Sequence, residues 1–305
     1  MESRARRRGV IGGRAASRSG AWLAPLLLLL AAAASGVAAA DARTALEVCA
    51  DPYALPMSSK DGAGYENRIA ELFGRELGLP VEYTWFPQRI GFVRNTLTNN
   101  ETEDGEYKCD LVMGVIENFE LAAPTRPYLH STWVMVYVKG RGLDFIQSQE
   151  DLAHLTPEQK ALLRIGIWDK GPATDLVYQN DLMEQATPYQ SMSGDAKVGP
   201  GQIIENELVQ DKINLTFVWG PIAGYYAKRI TDHELRVIPL KSEPGMRFNF
   251  QIAMAVRHAD KAWREQVNQL IATHQSEIDA ILDEFGVPRL ELLVRERDGD
   301  DDDDD

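Results

Sequence analysis

The chain has only two cysteines, Cys49 and Cys109, in 305 residues. That excludes a small disulfide-dense scaffold and a cysteine-built zinc site. Its five histidines, His130, His154, His233, His258 and His274, lack metal-ligand spacing. There is no Walker loop, no G-x-S-x-G elbow and no H-E-x-x-H stretch. Gly62-Ala63-Gly64 misses the third glycine of a dinucleotide fingerprint and reads as loop. Basic charge is scarce: 32 Lys and Arg stand against 46 Asp and Glu, a formal net charge of −14. Nucleic acid is excluded as a partner, because phosphate binding needs a basic surface. Heptads and short repeats are absent, so a solenoid is excluded.

Charge is lopsided at the two ends. Residues 1–40 carry six Arg and one Glu, then an apolar run at 21–34, then Ala38-Ala39-Ala40. This is the pattern of a cleaved secretory signal peptide, and the run is too short for a comfortable membrane span. Removing those residues takes the formal charge from −14 to −19. At the other end, Asp298 and Asp300 to Asp305 make residues 291–305 an expected disordered acidic tail.

Between the ends, short β-rich runs alternate with amphipathic helical patterns, which predicts an α/β fold. Strands are expected at 46–50, 81–85, 110–115, 132–139, 164–168, 215–219, 235–240 and 250–256. Residues 51–64 read as loop. A helix follows with Ile69, Leu72, Phe73 and Leu77 on one stripe, stopped by Gly78 and Pro80. A short helix is expected at 92–97, and others carry Leu176, Val177 and Met183 inward, and Ile203, Ile204 and Leu208. Two closing helices are expected, the second capped by Ser276 and ended by Gly286 before Pro288. The pattern restarts after residue 139. The expected division is a first lobe of 45–139 plus 246–290 and a second of 140–245.

In open α/β sheets, ligands bind beyond the carboxyl ends of the strands. Those ends supply Asp51 and Tyr53, then Trp85, Gln88 and Arg89, then Gly114 and Val115. The second half supplies Trp168 and Thr174, then Trp219, Gly220, Pro221 and Tyr225. Rings at strand ends offer stacking area with a polar handle, so these residues are the candidate ligand cleft. Any one Trp also suits plain core. Arg89 suits an anionic ligand or a carboxylate of this protein. Thr174 suits either an anion or a helix cap.

Cys49 and Cys109 leave two outcomes open. If the strands at 46–50 and 110–115 pair in parallel, Cys49 lies level with about Val112. Cys109 then lies roughly 10 Å back, beyond bridging reach. A loop folding back before Cys109 would permit the bond.

Several segments resemble one family in order. They are Val48-Cys49-Ala50-Asp51-Pro52, Gly64-Tyr65-Glu66-Asn67, the run from Glu82 to Leu97, Cys109-Asp110-Leu111-Val112-Met113-Gly114, Thr125-Arg126-Pro127-Tyr128, and the run from Trp219 to Tyr226. The family is the MxaJ/XoxJ group, quinoprotein-dehydrogenase-associated members of extracellular solute-binding protein family 3. The resemblance covers about 46–287. It implies a type II periplasmic-binding-protein fold, two α/β lobes joined by crossing strands with a cleft between. It further implies a periplasmic accessory protein of PQQ-dependent methanol dehydrogenase, binding the dehydrogenase and, as a second partner, its cytochrome c. No cofactor is assigned to this chain itself; PQQ would enter only through the partner. Amino-acid binders of this fold carry Gly-x-Thr-x-Thr-x-x-Arg, whose Arg grips the ligand carboxylate. Here the stretch runs Gly114-Val115-Ile116-Glu117-Asn118-Phe119-Glu120-Leu121, with Leu in place of Arg. A free amino acid is therefore a poor ligand. The competing function is an importer's substrate-binding protein for an aromatic, quinone-like or metal-chelate small molecule. Catalysis would have only Asp51, Glu66 and Glu117 to draw on and is not expected.

Overall fold

In chain order, β1 is Leu46–Ala50, β2 Tyr53–Ala54, β3 Ser58–Ser59, α1 Tyr65–Leu77, β4 Val81–Trp85, α2 Phe92–Asn95, β5 Leu111–Ile116 and β6 Ala123–Val138. There follow α3 Pro157–Ala161, β7 Ile165–Trp168, α4 Ala173–Gln179, β8 Ala186–Tyr189, β9 Leu215–Trp219, α5 Gly220–Arg229, β10 Leu235–Pro239, β11 Asn249–Val256 and α6 Lys261–Glu284. This computed structural model describes residues 43–102, 105–169, 171–191, 195 and 197–293. The expected signal peptide and most of the acidic segment fall outside the described residues. No helix among the described residues is long and apolar enough to cross a membrane.

The sheet order is β4-β1-β5-β11-β6-β9-β7-β8, with β10 also on β6. Strand β6 belongs to both halves. Its first part, up to Thr132, pairs with β11; its last part pairs with β9 on one side and β10 on the other. Strands β1, β4 and β5 run parallel, as do β7, β8 and β9.

Period-two alternation gives each half two cores. In the first lobe, Leu46, Val48 and Ala50 of β1 and Ile252, Met254 and Val256 of β11 face α1 and α6. Their neighbours Cys49, Ala253 and Ala255 face the opposite side, against Phe92, Val93 and Leu97. In the second lobe, Met135 and Tyr137 of β6 face Leu176, Val177 and Phe217. Val134, Val136 and Val138 face Ile204, Leu208, Ile222 and Ala223. Thus the end of β6, expected in the first lobe, packs in the second. Met246 and Phe248 do the same.

Other expectations change. Strand β6 starts nine residues earlier than the sequence suggests. Pro124 and Pro127 argue against a strand because they cannot donate to the ladder. The register against β11 shifts there, and side chains take over: Asn268 Oδ1 accepts from Arg126 N–H at 2.7 Å, and Thr125 Oγ1 from Met254 N–H at 3.0 Å. The two expected closing helices are one, α6, bent at His274, so Ser276 lies inside it and caps nothing. Met183 is 42% exposed rather than inward: α4 ends at Gln179, Asp181 takes φ 56°, and Leu182 is buried instead. The loop at 51–64 contains the small β2–β3 hairpin. Residues 291–293, expected in the disordered tail, run along the sheet, where Leu293 N–H donates to Gln251 Oε1 at 2.8 Å.

Cys49 and Cys109 are disulfide-bonded, with Cα atoms 5.5 Å apart. Cys49 does lie level with Val112. The bond forms because the chain before β5 bends: Asp110 N–H donates to Glu47 O, and Lys108 N–H to Asn99 O. This returns Cys109 to the face of the sheet that Cys49 occupies.

Candidate functional site

At the carboxyl end of β1, the Asp51 carboxylate accepts from Tyr53 N–H at 2.8 Å and Gln88 N–H at 2.6 Å. It thereby ties the loop after β1 to the loop after β4. Behind it, Glu66 in the first turn of α1 is buried. The reason is backbone geometry in β5. Opposite β11, the register of β5 gains a residue between Val112 and Val115, and Gly114 takes φ +70°. That is a glycine β-bulge. A Cβ on Gly114 would stand 2.4 Å from Glu66 Oε1, so only glycine leaves room for the carboxyl. Burial raises the Glu66 pKa from 4.5 to about 8, with the Asp51 charge adding and the Tyr128 hydroxyl opposing. Near neutral pH, Glu66 is mostly a neutral acid, able to donate a hydrogen bond.

Gln88, Arg89, Gly114 and Val115 come together on a groove of about 830 Å³. Its other walls are mainly apolar: Ile90, Phe92, Val93, Ile116 and Phe119, which the sequence reading did not place in the cleft, and Leu121, with Arg94 and Thr98 beside them. Ile90 is 88% exposed and Leu121 66%. The available signal was the apolar run from Ile90 to Val93 immediately after a strand end. Leu121, the residue found in the sequence where amino-acid binders carry their Arg, lines this groove. Glu117 turns away, meeting Arg247 at 3.3 Å and Gln251 Nε2 at 2.7 Å.

The remaining candidates sit elsewhere. Trp85 stacks on Tyr83 at 4.6 Å and packs on the first-lobe core. Trp168 packs edge-on to Tyr189 at 6.2 Å. Thr174 N–H donates to Gly171 O, and its enclosed hydroxyl has no partner among the described residues. Trp219 touches a core of each lobe and meets Phe250 at 6.0 Å. Gly220 lies so close to Thr132 O and Pro288 that a Cβ would come within 2.5 and 2.8 Å of them. Pro221, next in α5, is buried. Tyr225 stacks on Phe285 at 6.1 Å beneath Arg229. Trp219, Gly220 and Tyr225 therefore serve the joint between the lobes. On another side, Arg89 Nη2 donates to Asp195 O at 2.6 Å, bringing the first-lobe groove to a second-lobe loop. Among the described residues no His, Cys, Asp and Glu group could hold a metal ion.

No family model matches the chain. A short stretch of 46 residues is 67% identical to an uncharacterized protein in the cycB 3′ region of Paracoccus denitrificans, covering 15% of this chain and 55% of that protein. Protein MoxJ of Methylorubrum extorquens is 28% identical over 84% of this chain and 85% of its own length. The crystal structure of periplasmic binding protein XoxJ from Methylobacterium extorquens AM1 superposes with a TM-score of 0.63. It is 30% identical and covers 81% of this chain and 99% of that one. The chain belongs to the MxaJ/XoxJ family. Its two half-sheets sharing β6 are the type II periplasmic-binding-protein fold.

Proposed function

We propose that the protein is a periplasmic accessory of a PQQ-dependent methanol dehydrogenase and acts by binding it, in assembly, maturation or activation. Membership of the MxaJ/XoxJ family supports the setting in methanol oxidation. The observation that carries the binding mode is the groove beside Leu121. Its walls are mainly apolar, two of its residues, Ile90 and Leu121, are largely exposed, and Leu121 stands in the sequence where amino-acid binders carry their carboxylate-gripping Arg. Exposed apolar residues rimmed by Arg89 and Arg94 suit a protein surface. PQQ belongs to the partner in this reading, and the chain contributes recognition rather than chemistry. A formal charge near −19 once residues 1–40 are removed makes association faster and tighter at low salt toward a partner with a basic surface.

The test is calorimetric titration of the mature protein with the dehydrogenase at low and physiological salt. We expect binding that weakens with salt, and Leu121→Glu and Ile90→Glu each weakening it about tenfold or more at unchanged melting temperature, as for central interface residues. No binding even at low ionic strength overturns the proposal. A stability gain from a quinone-like small molecule, with no dehydrogenase binding, would favour an importer-type receptor instead.

A further inference from the structure

A second cavity of about 560 Å³ lies beside β6 and β11, away from the groove. Arg126, Arg247 and Arg264 line it, with Gln251 and Asn268 between them. Arg247 is engaged by Glu117 and lies over the Phe250 ring at 4.8 Å. The guanidinium groups of Arg126 and Arg264 have no ion pair or hydrogen bond among the described residues. The backbone of Arg126 is nevertheless fixed, through its N–H to Asn268 Oδ1. Three cations thus face one carboxylate, on a chain whose formal charge is −14.

The chain itself leads into this cavity. Leu292 and Leu293 form part of its wall, and Leu293 is pinned by its N–H to Gln251 Oε1. Five residues beyond Leu293 stands Asp298, followed by Gly299 and Asp300 to Asp305. Five residues span up to about 17 Å, enough to turn back over the cavity mouth. We propose that this cavity is a docking site for an aspartate-rich peptide segment, and that its occupant is residues 298–305 of the same chain. Carboxylates there would meet Arg126 and Arg264 in the forked geometry that guanidinium favours. Tethering so close to the site raises the effective concentration to about millimolar. The pairs are near solvent, so salt weakens them. The inference stands on this cavity alone and does not depend on the dehydrogenase reading.

The test compares the intact protein with a full-length variant carrying Asn for Asp at 298 and 300–305. Both are treated with phenylglyoxal, a neutral arginine reagent, and modification at each Arg is followed by peptide mass spectrometry. At low salt we expect Arg126 and Arg264 to react about fivefold more slowly in the intact protein, and exposed Arg75 equally in both. Salt of about 0.5 M should erase the difference. An added Asp-Gly-Asp₆ peptide should bind the variant and fail to bind the intact protein at the same concentration. Equal modification rates in the two proteins, equal peptide binding, or a difference shared by Arg75 would each overturn the assignment.

Discussion

In the first lobe, Asp110 sits between Arg43 and Arg257, Glu66 is enclosed against Gly114, and Cys49 is bonded to Cys109. In the second lobe, the cores are built from residues such as Met135, Tyr137, Phe217 and Val218, and charge stays in exposed pairs such as Lys139–Glu234 and Arg164–Asp211. Among the described residues, the two buried acids, Glu66 and Asp110, both belong to the first lobe. A buried charge is retained only where its partners are fixed. The first lobe therefore holds both ends of β5 with polar groups, Asp110 before its start and Glu66 beside Gly114 near its carboxyl end, where the groove opens. The second lobe is held mainly by packing.

That contrast can be broken from either side. The largest effects are expected in the two interiors. Asp110→Ala removes the carboxylate shared by Arg43 and the part-buried Arg257 (2.6 Å), leaving Arg257 with Asp260, and should cost about 3 kcal/mol in urea unfolding. Phe217→Ala should cost a similar ~3–5 kcal/mol, through the cavity it leaves. The conservative changes separate the causes. Phe217→Leu should recover most of the loss, whereas Asp110→Asn should recover little, because charge rather than volume is missing. Equal recovery at both positions would erase the distinction between the lobes.

Reducing the Cys49–Cys109 bond, with a sequence separation of 60, should cost about 4 kcal/mol by releasing chain entropy in the unfolded state. Equilibrium unfolding with and without reductant measures this.

Glu66 gives a pH signature that the second lobe should lack. Its folded pKa of about 8 exceeds the ordinary 4.5 of a glutamate in water, so between these values the native state keeps a proton that the unfolded chain releases. Stability from this group is fully present below about 4.5, falls as pH rises through about 8, and levels off above. The native protein should lose a few kcal/mol across that window, and Glu66→Gln should flatten the curve. Unchanged slopes in the two proteins would remove Glu66 from the account. The smallest effect is expected at the exposed Lys139–Glu234 pair, where Glu234→Ala should leave the melting midpoint unchanged.

Much of the framework was legible because period and punctuation are local. The stripe of Ile69, Leu72 and Phe73 and the left-handed Gly78 (φ +68°) bounded α1. Alternation marked β1, β4, β9 and β11. Where reading failed, a distant residue had compensated a local cost. Pro124 and Pro127 argued against the start of β6, yet Asn268, far along the chain, accepts the bond from Arg126 N–H. Cys49 was placed level with Val112, but the bend before β5 that brings Cys109 back depends on contacts with Glu47 and Asn99. Of the candidate cleft residues, Gln88, Arg89, Gly114 and Val115 share one groove, while Trp219, Gly220 and Tyr225 pack at the joint. Strand ends predict where side chains emerge, not which neighbours have already covered them.

The sequence by itself determined the class of fold, the positions of most strands, the family, and the Leu at 121 in place of a motif Arg. These follow from residue identity and short-range periodicity, which survive without knowledge of the rest of the chain. Tertiary structure decided the protonation of Glu66, the closure of the disulfide, the apolar groove, and the meeting of Leu293 with three arginines. Each depends on segments far apart in sequence being brought close enough to exclude water or to face charge on charge, and no local pattern encodes that distance.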